Sequence, residues 1–249
     1  QAIVGSIVGW NLYTGSSTDI KVLVTILSTW VLCPIITGII AMLFYSLTKK
    51  LLNNSKLHIL RVDAYTRTAL LLAGAFGAYS LGANNIANVM GVFVPIALFS
   101  DINLTSFFIF SSKEQLFLIG GLAIAVGVFT YSKKVMFTVG NDLLKMSPVA
   151  AFIVVIAHSI VLFLFASQGI SGFLQSLNLP SIPLVPVSSS QAVVGAIIGI
   201  GLLKGGKEVQ WSIAGRISLG WVALPVMSTF VAIIILFILE NIFGASIKF

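Results

Sequence analysis

Between Lys145 and Lys204 the chain carries no Asp, Glu, Lys or Arg, and the same holds from Ala69 to Ser100. Stretches of that length cannot coat a water-soluble domain, where roughly a quarter of the residues are charged. They are what a hydrocarbon core about 30 Å thick requires of helices that cross it. Over all 249 residues only 8% are charged against 58% apolar, and the mean hydropathy of +1.08 leaves too little polarity for an aqueous surface. The sequence is read as an all-α, multi-pass integral membrane protein. Predicted spans cover 20–47, 68–98, 116–131, 148–166 and 217–239. Two further apolar helices, 2–12 and 191–203, are too short to cross alone at about 1.5 Å per residue.

The net charge of +7 is not a nucleic-acid footprint, because the basic residues lie between apolar runs and lack interleaved aromatics. Membrane proteins gather Lys and Arg in cytoplasmic loops. With 48–67 placed in the cytoplasm, alternation puts 132–147 and 204–216 there too, and these three segments hold eleven of the fourteen basic residues. Lys21, Lys113 and Lys248 are left outside. One topology satisfies every loop, and the cell membrane is the expected location. The same count makes 170–187, with Pro180, Pro183 and Pro186, a re-entrant element without regular helix. The single cysteine, Cys33, permits no internal disulfide and reads as a small buried residue.

Self-comparison is the most informative step. Residues 1–12 (QAIVGSIVGWNL) and 191–202 (QAVVGAIIGIGL) agree at seven of twelve positions. After a one-residue shift, Trp30-Val31-Leu32-Cys33-Pro34 matches Trp221-Val222-Ala223-Leu224-Pro225, each at the start of a long apolar run. The loop after the first copy is external and the loop after the second cytoplasmic, so the copies are expected to cross in opposite directions. Inverted repeats of this kind characterise secondary transporters, which hold substrate near the midplane. The expected organisation is 1–47 as the C-terminal part of the first repeat, 48–67 as a cytoplasmic linker and 68–249 as the second repeat.

Polarity concentrates at two places within the uncharged segments. In Gly82-Ala83-Asn84-Asn85-Ile86-Ala87-Asn88, glycine and adjacent asparagines predict a helix that breaks near Gly82 and restarts at Asn84 or Asn85. In Pro186-Val187-Ser188-Ser189-Ser190-Gln191, serines after a proline-rich stretch predict a helix N-cap. Two half-helix N-termini would then meet near the midplane from opposite sides. Their free N–H groups and dipoles suit an anion without any Arg or Lys. Unwound carbonyls of Gly82 and Ala83, with the amide oxygens of Asn84 and Asn85, suit a cation beside it. Elsewhere, Gly195, Gly199 and Gly201 serve close helix packing. His158 is expected to hydrogen-bond a neighbouring helix, and Asp63 and Arg67 to pair at an interface. Asn103-Leu104-Thr105 is a glycosylation sequon on an external loop.

These motifs resemble the inorganic phosphate transporter (phosphate permease) family. Its duplicated signature pairs a Gly-Ala-Asn-Asp-x-Ala-Asn element with a Ser-Ser/Thr-Thr-His-Ala-x-x-Gly-Ala-x-x-Gly element. Here 82–88 matches the first and 188–199 the second, while residues 1–9 look like the tail of the second element of the other copy. The resemblance implies an upstream segment, on the order of a hundred residues by repeat symmetry, with the other Gly-Ala-Asn-Asp element. It implies a substrate site of Asn85, Asn88, Ser188, Ser189, Ser190 and Gln191, with Gln1 from the other copy. It implies a sodium site framed by Gly82, Ala83, Asn84 and Asn85. Asn85 stands where the family usually has Asp, and Gln191 where it usually has His. Losing both protonatable groups favours sodium over proton as the coupling ion and loosens the choice between phosphate and sulfate.

The expected function is cation-coupled symport of inorganic phosphate by alternating access, with no resident cofactor. A sulfate permease of the same family and a passive anion channel are the alternatives. The apolar runs flanking Asn85 and Ser190 oppose a continuous pore. No nucleophile–base–acid set points to an enzyme. The partners are phosphate, a coupling cation and the bilayer, and the sequence is compatible with a homodimer.

Overall fold

Large apolar side chains dominate the exposed faces of the longest helices, the reverse of a water-soluble arrangement. Val31 is 64% exposed, Leu43 63%, Leu219 69% and Phe230 62%. Such faces are satisfied by lipid, and main-chain polarity is satisfied inside the helices themselves. The computed structural model describes residues 1–55, 58–96, 99–105, 108–137, 143–144 and 146–247. In chain order these form α1 (Ala2–Thr14), α2 (Ile20–Asn54), α3 (Ile59–Met90), a 3-10 helix (Gly91–Ile96), strands β1 (Ile102–Thr105) and β2 (Phe108–Phe110), α4 (Ser112–Phe137), α5 (Pro148–Ala166), α6 (Gln168–Ser176), α7 (Ser189–Leu203) and α8 (Trp211–Asn241).

Among the described residues four helical segments are long and apolar enough to cross a bilayer: α2, Ser112–Lys133 of α4, α5 and α8. The protein is a helical membrane protein. The fifth predicted span, 68–98, needs correction. Its helix begins at Ile59, runs unbroken past Gly82 to Met90 and tightens into the 3-10 turn that contains Pro95; residues 97 and 98 lie outside the described residues. Asn84, Asn85 and Asn88 dilute its apolar character. The stretch 170–187 is also partly corrected, because α6 carries helix through Ser176 before the proline-rich segment leaves it. Strands β1 and β2 pair antiparallel, with the exposed Asn103 opposite Ile109. Asp63 and Arg67 pair at 2.9 Å, as expected. His158 instead donates from Nδ1 to the Val155 carbonyl of its own helix, at 3.1 Å.

Contacts divide the chain into two units, one of residues 1–27 with 211–249 and the other of residues 28–210. Each unit contains the same kind of helix pair. In the first, α1 lies so close to α8 that a methyl at Gly5 would overlap the Pro225 main chain, and one at Gly9 would sit 2.6 Å from the Thr229 carbonyl oxygen. Thr229 adds a bridge, donating its hydroxyl to the Gly5 carbonyl at 2.8 Å. In the second, α7 meets α2 in the same manner: Gly195 against the main chain of Pro34, Gly199 against Gly38. The repeat pairs Gly5 with Gly195 and Pro34 with Pro225, so the glycine helix of each copy packs on the proline helix of the other. That exchange puts residues of both sequence copies in each contact unit.

Candidate functional site

Unit 2 brings the two polar motifs together through one asparagine. Asn84 is 5% exposed on α3. Its Nδ2 donates to the Val187 carbonyl at 2.8 Å, and its Oδ1 accepts from the Val187 N–H at 3.4 Å. Val187 precedes the serine run in an extended segment whose main chain has no helical partners of its own. A side-chain amide on α3 completes it as a neighbouring strand would. Asn84 thus ties the 82–88 motif to the segment that leads into 188–191, though not as two facing half-helix N-termini, since α3 runs on without a break.

The two motifs differ in local form. At 188–191 the N-cap is as predicted: Ser188 is extended and its Oγ accepts from the Gln191 N–H at 3.4 Å. Ser188 and Ser190 share a hydroxyl contact at 3.0 Å. Ser188 and Ser189 are half-buried, Ser190 is exposed, and Gln191 is buried at 3% exposure. At 82–88 the expected break is absent. Gly82 and Ala83 are helical, so their carbonyls belong to the helix ladder rather than to an unwound cradle, and Asn85 opens no half-helix. The physical reason is visible in the side chains. The asparagines do not compete for their own main chain in a turn, because Asn84 bonds Val187, and Asn88 Nδ2 donates back one turn to the Asn84 carbonyl at 2.8 Å. Asn85, half-buried, keeps its Oδ1 near Asn84 Nδ2 at 3.4 Å.

Beneath this junction Cys33, Val161, Leu162, Val187 and Ala192 form a buried apolar cluster, with Leu81 and Phe165 packed against it. Through Val187 and Ala192 this cluster reaches the first turn of α7. Gln1, which precedes α1, belongs to the other unit. Sequence reasoning missed Val187, whose role is carried by its main chain and leaves no side-chain signal. It also passed over Ser188-x-x-Gln191, the spacing of a capping box.

The model of the phosphate transporter family matches residues 1–172 and 177–248. This chain belongs to that family. Among relatives of the family, a candidate phosphate permease of Methanocaldococcus jannaschii is 28% identical over 233 residues, 94% of this chain and 65% of that protein. One from Pyrococcus horikoshii is 26% identical over 80% of this chain and 45% of its own length. Human sodium-dependent phosphate transporter 1 is 26% identical over 63% of this chain and 21% of its own length. The chain thus spans at most 65% of these relatives. A solved structure entitled the sodium-dependent phosphate transporter covers 97% of this chain and 64% of its own, with a TM-score of 0.55 at 20% identity, a likeness of fold.

Proposed function

We propose that the protein is a sodium-coupled symporter of inorganic phosphate in the cell membrane, working by alternating access between two inverted repeats. In this reading residues 1–47 end the first repeat, 48–67 link the halves in the cytoplasm, and 68–249 form the second. The observation that carries it is the Asn84–Val187 pairing, which ties the asparagine-bearing helix α3 to the extended segment leading into α7. Ser188, Ser189 and Ser190 supply main-chain and hydroxyl donors to phosphate, with the side chain of Gln191 beside them; Gln1 holds the equivalent sequence position in the other repeat. Asn85 and Asn88 supply amide oxygens, hard ligands of the kind an alkali cation takes. With the helix continuous at Gly82 and Ala83, the sodium site draws on these side chains rather than on unwound carbonyls there.

Coupling follows from charge. A dianion in low dielectric is costly unless a cation accompanies it, and a lone cation pays the same penalty, so neither crosses cheaply alone. Family membership supports phosphate as substrate, and the names of relatives support sodium.

The test is uptake of radiolabelled phosphate into proteoliposomes carrying the full-length protein, with and without an inward sodium gradient and with excess unlabelled sulfate. Sodium-dependent accumulation that sulfate leaves intact is the expected result. Competition by sulfate reassigns the substrate. Flux that only dissipates a phosphate gradient, whatever the sodium, leaves a passive channel.

A further inference from the structure

Ser188-x-x-Gln191 has the spacing of a capping box, in which the serine takes the glutamine's N–H and the glutamine oxygen takes the serine's N–H in return. Only the first half is made here. Ser188 Oγ accepts from Gln191 N–H at 3.4 Å, whereas Gln191 Oε1 has under 1 Å² exposed and no hydrogen-bond partner. A buried acceptor left idle is costly in a native structure and asks for a donor. Side chains in the first turn of a helix lean toward its N-terminus, so the idle oxygen belongs to the end of α7 that carries the serines. The equivalent residue of the other repeat, Gln1, also has a buried amide atom without a partner, its Nε2.

We infer that Gln191 Oε1 is the specificity determinant of this site, selecting phosphate over sulfate by accepting a hydrogen bond from a P–O–H group. The inference rests on the assignment of the α7 N-terminus to the substrate. Main-chain N–H groups and serine hydroxyls donate to any tetrahedral oxyanion and cannot tell the two apart. An acceptor can. Near neutral pH inorganic phosphate keeps at least one P–O–H, whereas sulfate presents acceptors only. Sulfate would set oxygen against oxygen at the buried Gln191 Oε1. Sites built to bond a substrate hydroxyl reject analogues lacking it far more strongly than apolar pockets reject a change of size. Position 85 carries Asn where the family usually has Asp, and Gln191 Oε1 supplies a neutral acceptor for the substrate's proton.

The experiment is paired uptake of radiolabelled phosphate, with graded unlabelled sulfate, by proteoliposomes of the wild type, Gln191→Leu and Gln191→Glu. In the leucine variant the preference for phosphate over sulfate should fall at least about tenfold. The glutamate variant, with a charged acceptor of the same reach, should reject sulfate at least as strongly as the wild type. An unchanged preference in the leucine variant, or equal weakening toward both anions, overturns the inference. Should the leucine variant fail to insert, stronger sulfate competition against the glutamate variant than against the wild type overturns it instead. Absence of phosphate uptake by the wild type refutes the substrate assignment itself, a different result from lost selectivity.

Discussion

Asn84 and Asn85 are adjacent and chemically identical, yet the structure gives them separable work. Asn84 is buried and holds both main-chain groups of Val187, whereas Asn85 is half-buried and leaves most of its amide unused. Replacing Asn84 by alanine orphans a buried N–H and a buried carbonyl, each at about 1–3 kcal/mol. Asn84→Ala should therefore lower the thermal unfolding midpoint in detergent clearly, and Asn85→Ala should leave it nearly unchanged. Transport should show the converse for Asn85. Its loss takes away a proposed sodium ligand, so the sodium concentration for half-maximal phosphate uptake should rise at least about tenfold, from some 1.4 kcal/mol of lost binding. If Asn85→Ala shifts the melting midpoint but not the sodium dependence, the roles assigned to the two residues are reversed.

At the scale of elements, the disagreement over α3 shows which signals a sequence carries. Gly82 followed by two asparagines has the composition of a helix break, since isolated propensities disfavour both residues in a helix. The helix nevertheless continues, because Asn84 and Asn88 find partners on an extended segment about a hundred residues later and on the preceding turn. No local pattern encodes a main-chain partner at Val187. By contrast the N-cap at Ser188 and the tight glycine faces were legible, since capping and small-residue spacing are local. The sequence likewise showed that the copies repeat but not that each glycine helix packs on the other copy's proline helix. Two glycine substitutions separate these cases. A Cβ at Gly82 meets nothing within 4 Å, so Gly82→Ala should leave stability unchanged or raise it by up to about 1 kcal/mol. Gly195→Ala drives a methyl into the Pro34 main chain and should cost about 1–3 kcal/mol. Both are read from thermal unfolding in one detergent. A Gly82→Ala variant as damaged as Gly195→Ala would return α3 to the broken form.

For the whole molecule, the exposed apolar faces of α2 and α8 settle that lipid is the solvent, but packing alone does not say which end of each helix faces the cytoplasm. The distribution of charge predicts it. Lys49, Lys50, Lys133, Lys204 and Lys207 lie in the three segments that collect most of the basic residues, whereas Lys21 and Lys113 stand in the segments between them. A bias of this kind orients helices during insertion, and the proposed inverted repeats predict which side each segment faces. Single cysteines at Lys50, Lys133 and Lys207 should all react with an impermeant thiol reagent from the cytoplasmic side, and at Lys21 and Lys113 only from outside. The native thiol does not confuse the reading, because Cys33 is 0% exposed. If the positions of Lys133 and Lys207 label from opposite sides, then α5, α6 and α7 do not together return the chain to the cytoplasm. The two glycine helices would then share one direction, and alternating access would need a different pair of moving halves.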